Sequence, residues 1–195
     1  PPFILEVGDF FLESGEVVAL MGPNGSGKST FSRLLCGLDD MDRGSIVIDG
    51  KECGKEDLER SVGYMFQNPD YQIFLPTVKD ELSYSLSFLK ISEKEKEKRL
   101  EETASLFSLD LSDTASLMSY GERKRLQSAI YYSLDRPFYI LDELDSALSY
   151  KESVSILQRL SEKGAGILLI THDEEVAAMV AERRYRAQEG RIYGE

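Results

Sequence analysis

The chain has 195 residues, and 35 Asp and Glu against 23 Lys and Arg give a formal net charge of −12. At this length one domain with one sizeable core is expected, and 42% apolar with 30% charged residues excludes a disordered or fibrous chain. An acidic surface repels phosphate backbones and anionic headgroups, so neither a nonspecific nucleic-acid binder nor a polybasic membrane anchor is expected, and any acidic ligand must be held by local donors.

From the N-terminus, 3–7 and 9–12 read as antiparallel edge strands, and 17–21 as a buried strand. Helical spacing covers 29–36 and stops at Gly37, the left-handed position a residue without Cβ takes cheaply. Apolar runs at 46–48 and 62–66 read as buried strands, and 79–89 and 94–107 as helices. Ser92 and Glu95 form a capping box; the Glu/Lys run behind them reads as a solvated helix face, with Leu100, Ala104 and Phe107 as its buried stripe. A helix over 122–134, a strand over 138–141, a helix over 151–163 stopped at Gly164, a strand over 167–170 and a helix over 173–181 follow. The chain closes on strands at 184–188 and 191–193 around Glu189-Gly190.

This alternation predicts an α/β fold with a mostly parallel core sheet and an antiparallel edge region. It is expected as one domain over 1–195, with 70–135 as a helical subdomain inserted in the α/β core. The longest apolar runs, 17–21 and 167–170, fall far short of the roughly 20 residues that cross a bilayer. Pro1-Pro2-Phe3 shows no secretory signal and reads as the start of a trimmed chain; Cys36 and Cys53 are expected as reduced thiols of a cytosolic protein.

Gly22-Pro23-Asn24-Gly25-Ser26-Gly27-Lys28-Ser29 matches G-x-x-x-x-G-K-[ST], follows an apolar strand and opens a helix, which is the context a phosphate loop requires. Glycines let the backbone wrap phosphate oxygens, and the helix N-terminus adds partial positive charge. Gly22, Asn24, Gly25, Ser26, Gly27, Lys28, Ser29 and Thr30 are therefore the candidate triphosphate-binding residues, with Lys28 reaching the β and γ phosphates and Ser29 ligating Mg²⁺. A second constellation, 138–141 ending in Asp142-Glu143, sets one carboxylate to hold the Mg²⁺ hydration shell and the next near an attacking water. Adjacent buried acids cost several kcal/mol unless a cation compensates, so the pair suits a metal site. His172, the only histidine, follows a strand, and the carboxyl ends of strands are where α/β sheets place ligands.

Together with Gln67 and Ser119-Tyr120-Gly121-Glu122, these residues make the chain resemble the nucleotide-binding subunit of an ATP-binding cassette (ABC) transporter, from Gly15-Glu16 to Glu189-Gly190-Arg191-Ile192. Phe66-Gln67-Asn68-Pro69-Asp70, then Gln72 and Pro76-Thr77-Val78, are further similar to energy-coupling-factor transporters, which import vitamins and transition-metal ions. The resemblance implies the ABC ATPase fold, ATP and Mg²⁺ as ligands, a transmembrane partner, and two ATPase subunits head to tail. The subunit would be peripheral on the cytoplasmic face of the membrane, held only through its partner protein. It also implies that Gln67 joins Ser29 and Asp142 at Mg²⁺, that Glu143 is the general base, that His172 contacts the γ phosphate, and that Ser119, Gly121 and Glu122 face the ATP of the other subunit.

Four positions depart from the family pattern. Tyr120 stands for Gly and Glu122 for Gln in the signature, while Leu144 stands for Pro and Ser149 for Asp after the carboxylates. A heterodimer is therefore favoured over a homodimer, with a complete ATP site on this chain and a weak one completed by its signature. Tyr71, Ile73, Phe74 and Leu75 form an apolar cluster expected either to meet the membrane subunit or to pack in the core, and Phe3, Phe10 and Phe11 are expected in the core. The family's C-terminal extension is missing, so the chain reads as minimal or truncated. Other readings are a small-molecule kinase or GTPase, a soluble cassette ATPase, or a weakly hydrolytic regulatory subunit; Asn24 and Asn68, the only asparagines, supply no Asn-Lys-x-Asp guanine reader.

Overall fold

A computed structural model of the protein describes residues 3–195, which divide into two compact units. The first holds the chain up to Tyr64, Arg136–Glu143 and Leu160–Glu195; the second holds Met65–Asp135 and Leu144–Arg159.

The first unit is built on a seven-stranded sheet ordered β1-β9-β8-β2-β7-β6-β5. At its centre β2 (Val17–Met21) runs parallel to β8 (Arg183–Gln188) on one side and β7 (Gly166–Ile170) on the other, and β6 (Phe138–Asp142) runs parallel to β7. Every residue of β2 and β7 is buried, which is why both are unbroken apolar runs rather than alternating ones. At one edge β8 turns through Glu189 and Gly190, both at positive φ, into the antiparallel β9 (Arg191–Gly194). At the other edge lies β5 (Val62–Met65). The unit's helices are α1 (Lys28–Leu35), α2 (Lys55–Ser61) and α7 (Glu174–Val180). Gly37 and Gly164 take the expected left-handed conformation. Below the sheet's centre, Arg183 grips the buried Glu16 carboxylate with two guanidinium N–H groups, and this holds Glu16 below the usual carboxylate range.

Three expectations fail at the margins of this unit. The 46–48 run is not a buried core strand: Asp49 and Gly50 turn β3 (Val47–Ile48) onto β4 (Lys51–Glu52) as a separate two-stranded hairpin, with Val47 56% exposed. Of the two N-terminal strands only β1 (Glu6–Val7) forms, and it pairs parallel with β9. The 9–12 segment is held by side chains instead: the Phe10 ring meets Phe31 and Tyr185 at centroid distances of 5.0 and 4.8 Å, and Phe11 N–H donates to the Tyr185 hydroxyl. Phe3 and Phe11 are exposed, so of the three only Phe10 packs as expected. Helix α2 was not anticipated, because Leu58 is its one buried apolar residue and leaves no periodic signal.

The second unit is helical: α3 (Val78–Ser87), α4 (Glu93–Leu106), α5 (Tyr120–Leu134) and most of α6 (Tyr150–Glu162). Thr77 and Ser92 cap α3 and α4 through their hydroxyl oxygens, which accept from the N–H groups of Asp80 and Glu95. Val78, Leu82, Leu86, Leu100, Ala104, Leu126 and Ala129 are buried. The outer face of α4 carries the ion pairs Lys96–Glu93, Arg99–Glu95 and Lys98–Glu102, a solvated face as the sequence implied. Cys36 and Cys53 are both free thiols. Among the described residues no helix is long and apolar enough to cross a membrane.

Candidate functional site

Since β2, β6 and β7 are parallel, their carboxyl ends present Gly22, Asp142-Glu143 and Thr171-His172 at one end of the first unit's sheet. Gly22 leaves β2 at φ 148, and a Cβ there would lie 2.1 Å from the Ala187 carbonyl oxygen. No other residue fits. The loop then enters α1 through Gly27 at φ 109, and Phe31 N–H is the first to return to a carbonyl, that of Gly27. The N–H groups of Lys28, Ser29 and Thr30 thus begin the helix without an intrahelical acceptor, aligned with its dipole.

The Lys28 ammonium is buried and donates to the carbonyls of Gly22 (2.7 Å) and Pro23 (3.0 Å), which poises it over the loop. Burial lowers its pKa, and the charges of Asp142 and Glu143 oppose that shift. The Ser26 hydroxyl is buried with no hydrogen-bond partner among the described residues. An orphaned buried donor costs about 1–3 kcal/mol, which an anionic oxygen would recover. Asp142, at the end of β6, accepts a hydrogen bond from the Tyr64 hydroxyl (3.2 Å), whose own pKa is raised by burial and by that carboxylate. Glu143 sits at φ 48, an uncommon conformation for a residue with a side chain, fixed by its N–H bond to the Ile170 carbonyl (2.9 Å). His172 Nε2 lies 3.3 Å from Glu143 Oε1. Three helix N-terminal N–H groups, a buried ammonium, an orphaned hydroxyl and a carboxylate pair fit the donor set of a magnesium triphosphate, because Mg²⁺ binds through one or two carboxylates plus phosphate oxygens.

Gln67, Ser119, Gly121 and Glu122 belong to the second unit. Ser119 caps α5 in a closed capping box: its N–H and hydroxyl both donate to Glu122 Oε2 (2.8 and 2.7 Å), and Glu122 N–H returns to its hydroxyl oxygen. Those donations hold Glu122 below the usual carboxylate range. Ser149 and Glu152 repeat the arrangement at the start of α6. One face of α5 clasps the glutamine segment. The Gln67 carbonyl accepts from Lys124 Nζ (2.7 Å) and the Tyr120 hydroxyl (3.2 Å), while the Phe66 carbonyl accepts from Lys124 (3.3 Å) and Gln127 (3.1 Å). Lys124 is fully buried, a charge tolerated because two carbonyls receive it.

Sequence reasoning missed the Tyr64, Lys124 and Tyr120 contacts, which have no local signal. The Ser119-x-x-Glu122 capping box was legible as a pattern. In the same unit Tyr71 and Phe74 are 77% and 66% exposed, and Phe74, Tyr84 and Phe88 stack edge to face at 5.6 and 5.1 Å as an aromatic ladder on the surface.

Comparison with known proteins shows the family. The ABC transporter family model matches residues 5–146. A putative ABC transporter ATP-binding protein of Bacillus cereus is 33% identical over 97% of the chain, which spans only 35% of that relative's length. The energy-coupling factor transporter ATP-binding protein of Thermotoga maritima is 35% identical over 89% of the chain and 68% of its own length. Among solved structures, a dimeric ATP-binding cassette in a post-hydrolysis state bound to ADP and Pi superposes with a TM-score of 0.81 at 26% identity, covering 95% of this chain and 87% of that one.

Proposed function

Because the chain belongs to the ABC transporter family, we propose that it is the ATP-binding and ATP-hydrolysing subunit of a transporter that imports a micronutrient, a vitamin or transition-metal ion, through a separate membrane subunit. The observation that carries the reading is that the phosphate loop, Asp142, Glu143 and His172 share the carboxyl end of one parallel sheet. Lys28 and the N–H groups of the loop hold the phosphates, and the Ser26 hydroxyl donates to a phosphate oxygen. Ser29 and Asp142 would hold Mg²⁺, which Gln67 would join by the family resemblance, and the ion would supply positive charge to the phosphate oxygens. Glu143 accepts the proton of the attacking water, and His172, its neighbour, donates to the γ phosphate. Phe3, exposed beside Gly27, offers an apolar face to the base.

Partners follow from the second unit. The exposed aromatic ladder suits a membrane subunit, which would keep this chain peripheral on the cytoplasmic face. Ser119, Gly121 and Glu122 would face a second ATPase subunit. With the Ser119 hydroxyl spent on Glu122, the ATP site completed by this signature is the weaker one, which favours a heterodimer. It also supports a second reading, a weakly hydrolytic regulatory subunit. Single-turnover hydrolysis separates the two: Glu143→Gln is expected to bind Mg-ATP with unchanged Kd and to hydrolyse it about 10² to 10⁴ times more slowly. Unchanged turnover would rule out this chain's own site as the hydrolytic one.

A further inference from the structure

The second unit holds a cavity of about 330 Å³ that none of the motifs explains. Its walls come from the end of α4 and the residues after it, from α5, and from the first turns of α6. The apolar part is Leu106, Phe107 and Ile156. The polar part is Arg125, Lys151 and Arg159 against a single carboxylate, Glu152. Three cations around one cavity run against the character of a chain with a net charge of −12.

Glu152 cannot neutralise them all. Its Oε2 is committed to Ser149 and its Oε1 to Arg125 at 2.8 Å. Arg159 lies over the Phe107 ring, 5.9 Å from the centroid, and donates to the Ser155 hydroxyl, and among the described residues no carboxylate forms an ion pair with it. Lys151 is exposed at the rim. The cavity therefore pairs an aromatic and aliphatic floor with surplus positive charge, at a volume within the range of small-molecule sites. Guanidinium groups recognise phosphate and carboxylate by paired N–H donation, and the same planes stack on flat rings.

We propose that this cavity is an effector site for a small organic anion that carries a phosphate or carboxylate on a flat apolar group. Such a ligand would place its charge between Lys151 and Arg159 and its flat group along the exposed Leu106, at the margin of the buried Phe107 and Ile156. By competing for Arg125 it would loosen Glu152, whose carboxylate also closes the cap on Ser149, and so reach the segment that follows Asp142-Glu143.

None of the residues lining this cavity belongs to the phosphate loop or the carboxylate pair, and the test keeps the two ligands apart. The whole chain is titrated calorimetrically with 1-naphthyl phosphate while MgADP saturates the phosphate loop. Saturable one-to-one binding in the sub-millimolar range is expected, weakened about tenfold by Arg159→Gln and by Lys151→Gln. Lys151 is exposed, so its replacement leaves the fold intact, and circular dichroism of both variants checks this. Inorganic phosphate should bind at least tenfold more weakly, because it cannot use the apolar floor. The proposal is overturned if no saturable heat appears, if MgADP abolishes the binding, if inorganic phosphate binds equally well, or if folded Lys151→Gln and Arg159→Gln both bind as the wild type does.

Discussion

The phosphate loop and the signature segment are both helix N-termini rich in small residues, yet they treat their donors in opposite ways. At the start of α1 the capping position is a glycine without a side chain, and the buried Ser26 hydroxyl has no partner among the described residues, so this end remains open to an anion. At the start of α5 the Ser119 hydroxyl and N–H both end on Glu122, so that end is already satisfied by an anion of its own. The lesson is that an internal carboxylate can occupy the role of a phosphate. The same Ser-Tyr-x-Glu pattern at Ser149–Glu152 closes a second helix N-terminus in the same way.

The strongest attack on this comparison removes the open end's cation. Lys28→Ala is expected to weaken Mg-ATP binding by about 10- to 100-fold in calorimetry, the loss of a charge-assisted contact in a buried setting. A fall of less than threefold would mean that the loop's backbone donors suffice alone. Opening the closed end is the converse. Glu122→Gln should free the Ser119 hydroxyl from a charged acceptor and raise steady-state hydrolysis about tenfold in the dimer, a gain that an already competent signature would not show.

The two units should also answer acid in opposite directions. Glu16, in the first unit, has a folded pKa below its unfolded value, so its pairing with Arg183 contributes stability above about pH 4.5 that is lost as pH falls through the folded pKa. Glu81, in the second, is buried, its carboxylate accepts the N–H groups of Phe74 and Leu75, and desolvation raises its pKa. Its contribution is fully present below the unfolded pKa and declines as pH rises through the folded one. Amide exchange between pH 7 and 4 should therefore show β2 and β8 losing protection while α3 holds or gains it. In Glu16→Gln, less stable by about 2 kcal/mol at pH 7, the acid loss in β2 and β8 should shrink. Parallel loss of protection in both units would refute the assignment.

Much of this was readable in the chain because the informative residues are contiguous. The phosphate loop, Asp142-Glu143 and His172 each follow a wholly apolar strand, and period-free burial is a strong local signal. What stayed hidden depends on distant partners. Nothing near Tyr64 announces Asp142, and nothing near Lys124 announces the carbonyls of Phe66 and Gln67. The misread margins share one cause: 46–48 and 3–12 have strand composition, but a tight turn at Asp49-Gly50 and the Phe10 ring contacts decide their partners. Where tertiary packing chooses the ladder, composition cannot.

The subtlest difference between the two regions lies in how each holds its working oxygen. Asp142 Oδ2 is steadied by the Tyr64 hydroxyl, a buried phenol that stays protonated because burial and the carboxylate both raise its pKa. Gln67 has its backbone carbonyl clasped by Lys124 and Tyr120. Tyr64→Phe keeps the ring and removes the hydroxyl that donates to Asp142 and also meets Ser32 on α1, so the carboxylate gains rotational freedom without losing charge. The expected result is a Mg²⁺ half-saturation for hydrolysis raised about three- to fivefold, with nucleotide affinity in the absence of Mg²⁺ unchanged, since Lys28 and the orphaned Ser26 hydroxyl keep their positions. If Mg²⁺ dependence is unaltered while affinity falls, the tyrosine supports the loop rather than the carboxylate, and Asp142 needs no positioning beyond its place at the end of β6.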